Sequence, residues 1–276
     1  MANSLITVEW LHQNIHQENL IVVDASIESS IAGANSALEG LHIPGAIFFD
    51  IKKDFTDHTS PYPNMLPSEE QFQEGCRALG IDKESFVVVY DNMGIYSSPR
   101  AWWMLKSMGI DQAYVLDGGL PAWVAAGCEV AKKVVSTTAK SNFVAELKAG
   151  AFYGYDEVLE TIARADKLVI DARSAGRFSG AEPDPRKNIQ SGNIPNSVNL
   201  PFSEVLNDGR MKTKEELRDL FHFISADEHL IFTCGSGMTA CIALLAADQV
   251  LPNTKSVFDG SWTEWADKQN LRIDDL

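Results

Sequence analysis

The chain states one order of signals twice, and that duplication constrains its fold more than any other feature. NLIVVDAS (residues 19–26) returns as KLVIDARS (167–174), each a β-branched run ending on Asp. GLHIPGAIFFD (40–50) returns as SGNIPNSVNLP (191–201), where an Ile-Pro turn leads into a short apolar run. SEEQFQEGCRALGI from Ser68 and TKEELRDLF from Thr213 both open like capped helices, with Ser or Thr followed three residues later by Gln or Glu. FVVVYD (86–91) and LIFTC (230–234) are apolar strands before a loop and a helix, and AYVLDGGLPAW (113–123) answers SVFDGSWTEW (256–265). The offsets stay close together: 147 (171 − 24), 151 (195 − 44), 143 (234 − 91) and 142 (265 − 123). Short apolar strands alternating with helices imply a buried, mostly parallel sheet with helices on both faces and right-handed crossovers. Two such α/β domains in tandem are expected, residues 1–135 and 152–276, joined by a linker at about 136–151 within a stretch rich in Lys, Ser, Thr and Ala. The 276 residues give each copy the size of an ordinary domain.

Twenty-three Lys and Arg stand against 38 Asp and Glu, a net charge of −15 with no basic run to offset it. Such a chain repels nucleic acid and anionic membranes, so neither is expected as a partner. MANSLITVEWLHQNIHQENL lacks the basic and continuous apolar regions of a secretory signal and the Arg-rich character of a transit peptide. Cys76, Cys128, Cys234 and Cys241 show no CxxC spacing. A cytoplasmic setting without structural disulfides or zinc is therefore expected.

Cys234 ends an apolar strand and is followed by Gly235, Ser236, Gly237 and Met238 before a helix that begins near Thr239. Glycines let such a loop curl so that its N–H groups face inward, at the positive end of the following helix. That field favours a thiolate, making Cys234 a candidate nucleophile inside its own anion hole. At the equivalent place the first half carries Asp91, a poor replacement for a merely apolar core cysteine. Cys76, Cys128 and Cys241 read instead as packing residues. Two chemistries use an anion-cradling cysteine loop, attack on phosphorus and attack on sulfane sulfur. The first needs a guanidinium six residues beyond the cysteine, where this chain has Ala240. The loop bears no charged side chain at all, which favours a small donor whose charge lies away from the sulfur. In DARSAGRFSGAEPDPR (171–186), Arg177 and Arg186 are either ligands for a remote carboxylate or surface partners of Glu182 and Asp184, while Arg173 reads as a structural donor.

The combination of IPGA, strand-Cys-loop and DGGLPAW/DGSWTEW resembles the two-domain rhodanese family over essentially the whole chain, and CGSGMTA resembles the loop of its 3-mercaptopyruvate sulfurtransferase branch. FFDI, TSPYPNMLP, SSPRAWWM, GRF and EPDPR are similar to the same branch, whereas thiosulfate-using members usually place Arg and Lys where Gly235 and Ser236 stand. The resemblance implies that Cys234 attacks the sulfur of 3-mercaptopyruvate, releases pyruvate and holds a persulfide for a thiol acceptor such as thioredoxin, or for cyanide. It implies that Arg177 and Arg186 bind the carboxylate and keto oxygen, and that the N–H groups from Gly235 through Gly237 and Met238 to Thr239 hold the sulfur anion. Ser236 would hydrogen-bond in the loop or help move the thiol proton, and the first domain, with Asp91 for cysteine, would be inactive. No cofactor or metal is implied, and a monomer is expected. One departure stands out: some members carry a His before MLP and an acidic residue after FFDI as a proton relay with the loop serine, and here Asn64 and Lys52 hold those places. His12 and His16 read as a solvated helix face, His58 as part of a polar turn. Trp102, Trp103, Trp123, Trp262 and Trp265 read as packing, with Trp262 a candidate to line the cleft. The rival readings are a thiosulfate sulfurtransferase and a non-catalytic persulfide carrier.

Overall fold

The computed structural model describes residues 4–27, 38–132, 134 and 141–271. In the first repeat, β1 (Leu5–Ile6), α1 (Val8–Asn14), β2 (Leu20–Asp24), β3 (Ile47–Phe48), α2 (Glu69–Ala78), β4 (Phe86–Tyr90), α3 (Ser98–Ser107), β5 (Ala113–Leu116) and α4 (Gly119–Ala125) follow in order. Their strands form a sheet in the order β1-β5-β4-β2-β3, every pairing parallel. The second repeat runs β6 (Phe152–Tyr153), α5 (Tyr155–Thr161), β7 (Lys167–Asp171), α6 (Ala175–Ser179) and β8 (Val198–Asn199). It continues through a 3-10 turn (Phe202–Val205), β9 (Leu206–Asn207), β10 (Arg210–Met211), α7 (Lys214–Leu220), β11 (His229–Thr233), α8 (Ala240–Val250), β12 (Lys255–Phe258) and α9 (Ser261–Lys268). Its main sheet, β6-β12-β11-β7-β8, repeats the first strand for strand and is parallel throughout. The duplicated signals thus become duplicated topology, because each β-branched run has the length and continuous burial of a covered parallel strand.

The antiparallel hairpin β9–β10 has no counterpart among the described residues of the first repeat. It reaches across to the first domain, where the Met211 N–H donates to Asp117 Oδ1 at 2.9 Å. Gly209 there sits so close to Gly94 that a Cβ on Gly94 would lie 2.7 Å from the Gly209 carbonyl oxygen.

Three apolar layers hold the molecule. Val8, Leu11, Leu120 and Trp123 of α1 and α4 cover the outer face of the first sheet. Val158, Trp262 and Trp265 of α5 and α9 cover the outer face of the second. Between the sheets lies one continuous core that both repeats share, fed by α2 and α3 from one side and α7 and α8 from the other. Helix α8 is apolar on every side and every residue of it except Asp248 is buried, as expected for a helix enclosed by protein. Asp248 itself accepts the Ser4 hydroxyl of the first repeat at 2.6 Å.

The expected linker is only partly described, since residues 136–140 lie outside the described set. Its described part is fastened to α2. Arg77 Nε donates to the Phe143 carbonyl at 2.8 Å, the Leu147 N–H to Glu69 at 2.6 Å, and the Phe143 ring meets Phe72 edge-on at 6.4 Å. Phe72 is fully enclosed and also meets Phe55 at 5.3 Å. Replacing Phe72 by Ala removes a ring whose space cannot close, at a cost of ~3–5 kcal/mol; the urea midpoint should fall clearly while the far-ultraviolet circular dichroism of the native state is kept.

Candidate active site

Strand β11 delivers Cys234 to its carboxyl end, and α8 starts six residues later with Thr239 as its cap residue. The thiol is almost fully enclosed, with 1% of its residue surface exposed. Burial alone would raise its pKa, but the Thr239 hydroxyl, the Ser236 and Ala240 N–H groups and the nearby Arg186 charge outweigh it and hold the thiol below its ordinary value. Two glycines make the loop possible. Gly237 takes φ +74°, and a Cβ on it would lie 2.8 Å from the Asp259 carbonyl. A Cβ on Gly235 would lie 2.6 Å from Arg186 Nη1, so only glycine lets that guanidinium lie over the loop. The other two buried thiols differ sharply: burial pushes Cys76 far up, and pushes Cys241 up to about 12.

A cavity of about 350 Å³ opens above the loop. Cys234, Gly235, Ser236, Met238 and Thr239 form its floor, while Arg173, Arg177 and Arg186 stand on one wall. The Ser174 hydroxyl caps α6 by accepting the Arg177 N–H at 3.4 Å. Asp184 then gathers both arginines, accepting Arg177 Nη2 at 2.6 Å and Arg186 Nη1 at 3.3 Å. Burial opposes ionisation of Asp184, yet the Arg186 N–H and the two guanidinium groups hold its carboxyl below the usual range. The two readings of these arginines therefore coincide, since each pairs with Asp184 and still borders the cavity. Glu182 takes no part, accepting the Ser174 hydroxyl instead. Arg173 is locked in a buried bidentate pair with Asp171, at 2.6–3.1 Å, and lies over the Trp262 ring at 4.3 Å.

The first domain completes the cavity. Asn64 Nδ2 donates to Ser236 Oγ at 2.9 Å and to the Ser236 carbonyl at 3.0 Å, while Lys52 Nζ donates to Asn64 Oδ1 at 2.5 Å. Lys52 is an exposed residue that borders the cavity, with its ammonium partly buried against Asn64. Burial around its ammonium and the charges of Arg186 and Arg100 lower its proton affinity. Beneath the loop, fully buried Arg100 of α3 donates through Nη2 to Asp259 Oδ1 and to the Asn64 carbonyl, each at 2.7 Å. Asp259 also accepts the Leu66 N–H at 2.6 Å.

Gly237 departs from its expected role. Its N–H turns away from the cavity and donates to Ser261 Oγ at 3.0 Å, because the same hydroxyl already receives the Cys234 N–H at 3.2 Å. Trp262 is also corrected: it is 1% exposed and belongs to the outer core rather than the cleft. Ser261, Arg100, Asn64 and Lys52 are positional partners that motif reading left without a role. Ser261 had a signal, since it replaces Gly119 of the first repeat (261 − 119 = 142) and adopts φ +51°, a region that suits the glycine and strains a serine. Asn64 and Lys52 stood out only as departures at the family's relay places, and Arg100 had no signal, because it acts from the other repeat.

Asp91 fills the loop of the first domain with its own carboxyl group, where burial raises its pKa against the hydrogen bonds that favour the ionised form. Its Oδ2 accepts the N–H groups of Tyr96, Ser97 and Ser98 and the Ser98 hydroxyl, at 2.6–3.0 Å. With the Cys234 pKa lowered, its thiolate persists to lower pH than an ordinary cysteine's. Iodoacetamide should alkylate it with a pH midpoint below the roughly 8.5 of a free thiol, leaving Cys76 and Cys241 unmodified in the native protein; mass spectrometry of the alkylated peptides checks both expectations.

The rhodanese-like domain model matches this chain twice, at residues 7–126 and 155–268. The 3-mercaptopyruvate sulfurtransferase of Rattus norvegicus is 38% identical over 276 residues, covering 96% of this chain and 92% of the relative. The thiosulfate sulfurtransferase of Cricetulus griseus is also 38% identical, with 96% and 92% covered, so overall identity does not separate the two donors. The crystal structure of the 3-mercaptopyruvate sulfotransferase SseA from Escherichia coli superposes with a TM-score of 0.82 at 33% identity, covering 95% of this chain and 99% of that one. With a parallel sheet, a strand-end loop and a full domain match in each repeat, the chain belongs to the rhodanese family.

Proposed function

We propose that the protein is a 3-mercaptopyruvate sulfurtransferase that works through a persulfide on Cys234. The observation that carries this reading is a stabilised thiol on an uncharged loop, facing two guanidinium groups across one small cavity. Arg186 and Arg177 bind the donor's carboxylate and keto group, where planar forks match planar oxygen pairs. That binding aims the sulfur at Cys234. Attack forms the S–S bond and expels pyruvate as its enolate, which takes a proton from solvent. An acceptor thiol, of which thioredoxin is one form, then removes the outer sulfur by exchange. In this reading the domain up to about residue 135 is the inactive partner and the domain from residue 152 the catalytic one, a monomer acting in the cytoplasm. No helix among the described residues is long and apolar enough to cross a membrane.

One observation favours thiosulfate as a second donor: Lys52 brings to the cavity a positive charge that the loop lacks. Parallel assays with both donors and cyanide as acceptor decide the order of preference. Cys234→Ser should abolish turnover of both with the fold kept, and appreciable residual turnover would exclude the persulfide. Arg186→Ala should raise KM for mercaptopyruvate by roughly tenfold or more, the share of a charge-assisted carboxylate contact. A donor without a carboxylate should be affected far less.

A further inference from the structure

A second pocket, of about 280 Å³, opens where the last turn of α3, the end of the linker and the start of β12 meet. Lys106, Lys148 and Lys255 line it, an unusual concentration of positive charge in a chain of net charge −15. Among the described residues only Lys148 makes an ion pair there, with Asp111 at 2.7 Å. The other two are half-buried and held by carbonyls: Lys106 Nζ donates to the Asp111 carbonyl at 2.6 Å, and Lys255 Nζ to those of Leu251 and Asn253 at 2.7 and 2.8 Å. Helix ends attract lysines in this way, but a carbonyl brings no full charge to offset an ammonium. The carboxylates that act on Lys106 and Lys255 are already engaged, Asp111 with Lys148 and Asp248 with the Ser4 hydroxyl. An ammonium has three N–H donors, so each lysine keeps at least one beyond these bonds.

A second feature of the pocket points the same way. Ser107 lines it at 1% exposure, and its Oγ has no hydrogen-bond partner among the described residues. Buried polar groups are ordinarily paired, so an unmet hydroxyl beside uncompensated cations marks a place for a ligand. The Trp103 indole supplies a flat wall, fixed by its Nε1 donating to the Ala151 carbonyl at 3.1 Å.

We propose that this interdomain pocket is a second binding site, for a small organic anion whose phosphate or similar oxyanion head lies among Lys106, Lys148 and Lys255 and whose flat body lies on Trp103. Its place in the fold gives it a structural consequence. Helix α3 carries Arg100 in its first turn and Lys106 in its last, and β12 runs from Lys255 to the residue before Asp259. An anion joining Lys106 to Lys255 therefore ties the far ends of the two elements whose near ends meet in the Arg100–Asp259 pair.

The test uses pyridoxal 5′-phosphate as a site-directed reagent. Its aldehyde condenses with an unprotonated lysine amine to an imine and water, and borohydride then delivers hydride to the C=N bond, fixing an adduct that peptide mass spectrometry locates. Burial and the Lys148 charge lower the proton affinity of Lys106, and burial that of Lys255, so an anion seated there meets an amine able to react. Lys106 or Lys255 should be labelled at least about tenfold faster than the exposed Lys83 and Lys214, the gain from one charge-assisted contact to the phosphate. Pyridoxal, which lacks the phosphate, should lose that advantage. In Lys148→Gln, folded as wild type by circular dichroism, the ratio of the two reagents' rates should fall about tenfold, a ratio from which any change in amine reactivity cancels. Phenyl phosphate should protect the labelled lysine at concentrations at least about tenfold below those inorganic phosphate requires, the share of a ring buried on Trp103. Labelling spread evenly over Lys83 and Lys214, labelling of Lys52 alone, equal rates with pyridoxal and its phosphate, or an unchanged ratio in Lys148→Gln would each overturn the site. Equal protection by phenyl phosphate and inorganic phosphate would overturn the seat on Trp103. None of these outcomes depends on Cys234 or on the sulfur donor.

Discussion

The active-site loop rests on one buried guanidinium. Arg100 leaves the first domain, reaches beneath the loop of the second and pairs with Asp259 at 2.7 Å, with no exposed surface of its own. A charge in that position would destabilise the fold by several kcal/mol unless its donors were satisfied. Its Nη2 is met from both sides, by Asp259 of the second domain and the Asn64 carbonyl of the first, and Nη1 reaches the Gly237 carbonyl at 3.5 Å, while Nε has no hydrogen-bond partner among the described residues and the Phe152 ring lies 4.8 Å from the guanidinium. Asp259 also accepts Leu66 N–H, so the segment that presents Asn64 is tied to the segment that supports Cys234. The position of the cavity walls relative to the nucleophile therefore depends on this pair. The shared apolar core brings the domains together, and the ion pair sets their register.

Duplication gave the molecule two anion nests at equivalent strand ends, and the two have been put to different uses. In the first, the Asp91 carboxyl fills the loop and accepts the N–H groups of Tyr96, Ser97 and Ser98. In the second, the equivalent place holds the Cys234 thiol, whose pKa the loop lowers. The supporting turn changed with it. Gly119 touches the Asp91 loop so closely that a Cβ would lie 2.4 Å from the Asp91 carbonyl, whereas Ser261 accepts a strained backbone and returns two hydrogen bonds to the Cys234 loop. The hairpin β9–β10, found among the described residues in the second repeat alone, docks that repeat against the Asp91 loop of the first, where the Gly209 carbonyl closes on Gly94.

Electrostatics at the site are organised by distance from the sulfur. The loop offers dipoles and one hydroxyl, and the full charges stand around it on Arg177, Arg186 and Lys52. Asp184 offsets part of the arginine charge and holds both forks in place. The consequence is a thiol whose pKa is lowered mainly by hydrogen bonds from its own loop, which salt screens little, beside a wall made of charges, which it screens more.

Much of this was legible in the sequence. Hydrophobic runs, capping boxes and turn residues are local signals, so the repeat, the parallel strands, the helix starts at Ser68 and Thr213 and the Cys234 loop could be read directly. The lowered thiol pKa follows from the same local geometry. Other features are relations between residues far apart in the chain, such as Asn64 and Ser236 or Arg100 and Asp259, separated by 172 and 159 positions. Local pattern carries no record of such pairings. The same limit explains why Arg177 and Arg186 stayed ambiguous until Asp184 and the cavity were seen together, and why the Gly237 N–H was assigned to the nest when Ser261 claims it. The sequence by itself determined two α/β units and the strand-end cysteine loop of the second, because propensity, periodicity and loop chemistry act over a few residues. Only the tertiary structure decided which charges stand around that cysteine and which first-domain residues meet Ser236, because those depend on how the two sheets pack across their shared core.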